Sequence, residues 1–424
     1  IPKVLILGLN SDDIEVRKTA VSTIRRIELQ AVQPVIDAGL VPTLVSLLDS
    51  EDTTLQHEAA WILTNIAAGT TQQTYQVVEA RAIPKLVTLS ASPDEGVAEN
   101  AVWALTNIVG DSPSLRDRVA AQGGIDAFVR LLNDTETTPR SVQRRAMSGI
   151  NSYLNPWSKR KGLGVRRIKH LVPLLVRYIQ EAPVDEGTSY DDKESIAYAT
   201  QSLARILDRG VKPSDVIQTG VVPRLVHLLA DTSSGAALHT ELFACIAYLI
   251  DGDERDTDAT IDAGLLPALL VHLGTENEDL CQRALWSASN IAAGSRPQAH
   301  ALLDCGILKH AARILADDQS PLDCRHEACW IISNISHKLS GDVKVVQAFI
   351  DDPCVEGLWA ALQIPDVKTR ELAIVAITNL MQYQDSQGFH LRDSLLAVIQ
   401  SFSIPQELRH IRDSRMPEDR ELKQ

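Results

Sequence analysis

Four short segments of this chain combine residue types suited to gripping a charged, extended polymer. Trp61 is followed four residues later by Asn65, Trp103 by Asn107, Trp286 by Asn290 and Trp330 by Asn334. Residues four apart on a helix project from one face. An indole ring offers an apolar plate that attracts a cation over its face, and an asparagine amide carries both a donor and an acceptor. A row of such pairs predicts slots for Lys or Arg stems between rings, with the amides bonding the backbone of an extended peptide. Carboxylates beside the rings (Glu58, Glu99, Asp111 and Glu327) favour cationic side-chain ends.

The elements that carry these pairs read as amphipathic helices. With Trp61 at zero and about 100° per residue, Ala59, Ile62, Leu63 and Ile66 fall on the far side as a core stripe. His57, Glu58, Thr64 and Asn65 fall near Trp61. Burying Trp, Asn, Thr and Glu together four times over, without partners, would cost too much. The tryptophan face is therefore predicted to line a groove.

The helices recur. "GLVPTLVSLL" from Gly39 returns as "RAIPKLVTLS" from Arg81 and "GGIDAFVRLL" from Gly123, then from His170, Gly220, Gly264 and Gly306. A second block follows each, as in "HEAAWILTNIAAG" from His57 and "QRALWSASNIAAG" from Gln282. A Gly stop, a Pro-started helix, an acidic loop and a longer helix give three helices per repeat of about 42–45 residues. Such repeats bury a core only by stacking. The expectation is an all-α fold, a right-handed superhelical solenoid of about nine armadillo repeats, with two-helix HEAT repeats as the neighbouring architecture. Residues 1–383 are assigned to the repeats, the first one truncated, and residues 384–424 to a C-terminal helical segment with a charged tail. Wider spacing predicts long loops at 155–170 and 181–194.

Bulk properties narrow the function. The net charge of −14 suits a basic partner and argues against nucleic acid. No apolar run is long enough to span a bilayer. The six cysteines form no CxxC pair and complete no zinc site, so reduced, buried thiols are expected. No P-loop, GxSxG or HExxH motif occurs, so neither an enzyme nor a cofactor or metal is expected.

The blocks "HEAAWILTNIAAGTTQQT" and "ENAVWALTNIVGDSPSLRD" resemble the second and third armadillo repeats of the importin-α (karyopherin-α) family. That resemblance implies a nuclear import adaptor shuttling between cytoplasm and nucleus, which binds nuclear localisation signals at a major and a minor site. It implies a major site of Trp61, Asn65, Gly69, Thr74, Trp103, Asn107 and Asp111, with Asp111 holding a lysine ammonium. The implied minor site uses Trp286, Asn290, Glu327, Trp330 and Asn334. The family also pairs with importin-β through a basic arm, which would lie upstream of Ile1.

The departures matter as much. Ser148 and Ser152 stand where the fourth repeat would carry Trp and Asn, Gln201 and Arg205 in the fifth, Ala244 and Tyr248 in the sixth. The alternative reading is an armadillo scaffold for one specific protein partner. Lys159–Lys169 carries six positive charges, read as a solvated loop or as an internal mimic of a basic ligand.

Overall fold

The computed structural model describes residues 1–28, 32–156, 163–182, 189–381, 393, 397–398 and 400–401. Regular structure among the described residues is helical, without strands. The chain divides into two compact units, Ile1–Val211 and Lys212–Gln424.

The first unit opens with α1 (Lys3–Leu9) and α2 (Ile14–Glu28), the second and third helices of a truncated repeat. Complete repeats follow: α3 (Gln33–Asp37), α4 (Val41–Leu47) and α5 (Thr53–Ala67), then α6 (Thr71–Glu79), α7 (Ala82–Leu89) and α8 (Glu95–Asp111). Next come α9 (Pro113–Ala121), α10 (Gly124–Asn133) and α11 (Arg140–Tyr153), and finally α12 (Val165–Ile168), α13 (Val172–Glu181) and α14 (Tyr190–Asp208). The second unit holds α15 (Pro213–Ile217), α16 (Val222–Ala230) and α17 (Ala236–Ile250), followed by α18 (Glu254–Asp262), α19 (Leu265–His272) and α20 (Glu278–Ala293). It continues with α21 (Arg296–Asp304), α22 (Ile307–Ala316) and α23 (Leu322–Lys338), then α24 (Val343–Asp351), α25 (Cys354–Gln363) and α26 (Val367–Met381). Among the described residues these helices group into nine repeats, the first truncated, in the all-α solenoid that the spacing predicts.

Local chemistry sets the helix boundaries. Gly264 and Gly306 adopt left-handed φ of 94° and 81° between the first and second helices of their repeats. Arg81 occupies the same corner at φ 63°, unusual for a side-chain-bearing residue. The long third helices start on side-chain caps: Asp52 accepts from the backbone of Thr54 and Leu55, Asp94 from Val97, and Asn277 from Leu280. Within each unit the third helices pack on one another in sequence, α2 on α5, α8 and α11, and α17 on α20, α23 and α26. The core is aliphatic, with Leu44, Ile62, Leu63, Leu86 and Leu105 fully buried.

The long loops are shorter than expected. Residues 165–171 form α12 and a 3₁₀ turn, with Leu163, Ile168 and Leu171 buried. Helix α14 begins at Tyr190, capped by Ser189, inside the segment expected as loop 181–194. Residues 157–162 and 183–188 lie outside the described residues, and with them Lys159, Arg160 and Lys161. Most of 384–424 lies outside them too.

Candidate functional site

The groove in the first unit is built on α5, α8 and α11. Trp61 and Trp103 are half-buried and meet edge to face, their centroids 6.1 Å apart at 87°. They are therefore in contact, instead of forming two parallel walls around an open slot. Each ring face carries a cation from the chain itself. The Arg25 guanidinium lies 4.7 Å from the Trp61 centroid, and that of Arg145 lies 3.8 Å from Trp103. Arg25 is paired to Glu58 at 3.0 Å and Arg145 to Glu99 at 3.2 Å. Two of the four carboxylates expected to attract a ligand, Glu58 and Glu99, are already matched within the chain. A wheel drawn on one helix cannot reveal this, because both arginines come from neighbouring repeats.

Part of the polar face is a joint between helices. Thr64 is buried, and its hydroxyl reaches the backbone oxygens of Ala60 at 2.8 Å and Asn100 at 3.0 Å. Thr106 does the same toward Val102 and Arg145. Asn107 donates through Nδ2 to the Thr64 carbonyl at 3.0 Å. That leaves Oδ1 and one N–H for a ligand. Thr64, Thr106 and Asn107 are thus bonded to adjacent third helices, while Glu58 Oε2 and Trp61 Nε1 are buried without a hydrogen-bond partner. Asn65 is half-buried on the same face.

Asp111 ends α8 on the wall of a pocket of about 400 Å³ shared with Gly69, Trp103, Asn107, Ser148 and Ser152. Its Oδ1 lies 3.4 Å from the Thr74 hydroxyl, while Oδ2 is buried without a hydrogen-bond partner. Thr74, expected as a peptide contact, is fully buried and instead supports Asp111. Gly69 has a local reason: a Cβ there would collide with Gln73 Oε1, whose side chain closes the capping box that starts α6.

In the second unit the rings are open. Trp286 is 42% exposed and Trp330 40%. Asn334 repeats the inter-helix bond, donating to the Ser289 carbonyl at 3.2 Å, and Asn290 is exposed. Glu327 Oε2 accepts from the Ser289 hydroxyl at 2.7 Å. The Trp330 indole donates to His326 Nε2 at 3.1 Å. This assigns the proton of the neutral ring to Nδ1, which faces Thr369 Oγ1 at 2.9 Å.

Sequence reasoning missed a pocket of about 500 Å³ beside Trp286, lined in part by Phe243, Tyr248, Asp251, Asp279 and Arg283. Its signal was Ala244, a small residue at the tryptophan position. In the fifth repeat, Arg205 binds the Asn151 backbone oxygen at 2.7 Å and its side-chain oxygen at 2.8 Å, and Asn151 donates to Gln201 at 2.8 Å. Residues at ladder positions there join α14 to α11. Among the described residues no His, Cys, Asp or Glu cluster is arranged for a metal, and no helix is long and apolar enough to cross a membrane.

Comparison with known proteins agrees with this architecture. The family model for the Armadillo/beta-catenin-like repeat matches residues 30–68, 70–110 and 253–293. Importin subunit alpha-1a of Oryza sativa subsp. japonica is 31% identical over 312 residues, 72% of this chain and 56% of that protein. Importin subunit alpha-2 of the same organism is 29% identical over 407 residues, 90% of this chain and 72% of that protein. Importin subunit alpha-2 of Caenorhabditis elegans is 30% identical over 305 residues. The chain spans about half the length of the first relatives it matches. The crystal structure of an engineered protein shares the fold at TM-score 0.71 and 23% identity, across 95% of this chain and 99% of its own. With its armadillo repeats and its Trp/Asn ladders in register, the chain belongs to the importin-α family.

Proposed function

We propose that this protein is a nuclear import adaptor that holds extended Lys/Arg-rich localisation signals along the Trp/Asn ladders of its third helices. The observation that carries this reading is Asp111: a carboxylate with one buried, unpartnered oxygen, on a pocket that also presents Asn107. An ammonium ion supplies the charge and the donors that this oxygen lacks. Asn107 and Asn334 each retain amide groups able to bond a peptide backbone. The net charge of −14 draws a basic segment in. The relatives are named importin subunit alpha, which supports this reading, and on it the protein works in cytoplasm and nucleus with importin-β as a second partner.

The test is calorimetry of the full chain with a lysine-rich peptide and with the same peptide carrying alanines. Binding of the first alone, weakening as salt rises, supports the reading. Equal affinity for both peptides refutes it. A second reading, a scaffold for one protein partner, draws on the fourth and fifth repeats, where serines replace the ladder and Gln201 and Arg205 are bonded to Asn151. It predicts a partner segment with few lysines.

A further inference from the structure

The two ladders differ in who occupies them. In the first unit, the guanidiniums of Arg25 and Arg145 lie over the faces of Trp61 and Trp103, well inside the range of cation–π attraction. Each is anchored a second time by a carboxylate, Glu58 or Glu99. A ligand Lys or Arg would need the same ring faces and the same carboxylates. In the second unit, Trp286 and Trp330 are each about two-fifths exposed, and among the described residues no Arg or Lys stacks on either. Arg283, the nearest basic residue in sequence to Trp286, is held by Asp279 at 2.9 Å.

The repeat register sharpens the contrast. Arg145 sits three residues before Ser148, the tryptophan position of the fourth repeat, and stacks back on the Trp of the third. The same register position of the eighth repeat, three residues before Trp330, is Glu327, bonded to Ser289 one turn from Trp286. At that position the fourth repeat thus sets a cation over Trp103 and the eighth an anion near Trp286, while Glu58 and Arg283 hold it in the second and seventh repeats.

We propose that Arg25 and Arg145 are in-cis occupants of the first ladder, so that a basic peptide engages the second ladder first, at Trp286 and Trp330 beside Glu327. The first ladder takes the peptide only by displacing guanidiniums that already make the contacts the ligand would make. This rests on the basic-peptide reading above, and it assigns Arg25, Arg145 and Glu327 as the residues that set the order of the two sites.

The experiment measures binding of a fluorophore-tagged lysine-rich peptide to the full chain by anisotropy. Trp286→Ala is expected to weaken binding about tenfold, as for loss of an exposed cation–π contact with its packing, and Asp111→Lys by a smaller factor of about threefold, because the second ladder takes the peptide first. In the Trp286→Ala background, Arg25→Gln with Arg145→Gln is expected to restore binding, and adding Asp111→Lys to abolish it again. Helicity by circular dichroism checks each variant. If Arg145→Gln unfolds, Arg145→Lys, which keeps the charge but loses the flat stack, is expected to give partial restoration. The proposal is overturned if Asp111→Lys alone removes wild-type binding while Trp286→Ala does not, or if the folded arginine variants restore nothing. Should every form fail to bind, the arginine variants included, the basic-peptide reading fails along with it.

Discussion

Asn107 in the third repeat donates its side-chain amide to the backbone oxygen of Thr64 in the second, and Asn334 makes the same bond to Ser289 one unit later. These two ladder asparagines are therefore inter-repeat staples as well as candidate ligand groups. Asn107→Ala is expected to lower stability by about 1 kcal/mol, the usual net worth of one such bond. Asn107→Asp should cost more, because it sets a carboxylate against the Thr64 carbonyl. Urea denaturation followed by circular dichroism measures both, and an unchanged midpoint for Asn107→Ala would show that the bond carries no fold energy.

Asp111 predicts the opposite sign. Its Oδ2 is buried without a hydrogen-bond partner, an acceptor left unsatisfied in the fold. Asp111→Asn retains an acceptor for Thr74 and removes the carboxylate charge. We expect unchanged stability or a gain of up to about 1 kcal/mol, together with weaker lysine-peptide binding to the first ladder once Arg25 and Arg145 are replaced by Gln. A clear loss of stability in thermal melts would make Asp111 a structural residue.

Gly69→Ala should destabilise the first unit by about 1 kcal/mol, because the added Cβ drives Gln73 out of its capping box. Gln73→Ala should cost a similar amount alone. The double variant should cost little more than either, since both remove the same cap. Additive losses in a double-mutant cycle would place the effect of Gly69 elsewhere.

A buried imidazole gives the second unit a pH dependence. His272 is almost fully buried, its Nε2 bonded to the Leu229 oxygen at 2.7 Å, and its ring lies 4.8 Å from that of His239. Burial pushes its pKa below the ordinary 6.5, with neighbouring His239 adding to the shift. The unfolded chain therefore takes up a proton at higher pH than the folded one. The stability contributed by this site is fully present above pH 6.5 and declines as pH falls below it, until the folded ring itself is protonated. His272→Gln, which keeps a donor for Leu229, should flatten that part of the curve of denaturation midpoint against pH. An identical slope in wild type and variant would exclude His272 as its source.

All six cysteines are free, and five are buried while Cys305 is half-buried. Burial pushes Cys245 and Cys329 up to about 12, which leaves almost no thiolate near neutrality. A chromogenic disulfide reagent should titrate about one thiol quickly in the native protein and all six after denaturation. Cys305→Ser should remove the fast phase. Two or more fast thiols in the native chain would mean that a repeat opens readily.

Much of this was legible along the chain, because a repeat states its rules many times. Gly-Pro punctuation, acidic caps and the aliphatic stripe of the third helix are local, so the period, the helix types and the Trp/Asn register could be read without coordinates. The 155–170 segment was harder: its length suggested a loop, but Leu163, Ile168 and Leu171 find burial and residues 165–171 form short helical turns. What one helix cannot disclose is which residue of the next repeat faces it. The stacking of Arg25 on Trp61 and of Arg145 on Trp103 joins residues about one repeat apart, as do the bonds that bury Thr64 against Asn100 and hold Asn107 to Thr64. The sequence alone determined that these residues share a ladder. Only the packing of successive third helices decided that its N-terminal rungs are filled by the chain's own arginines, because side-chain charge is written locally while its partner is chosen by tertiary proximity.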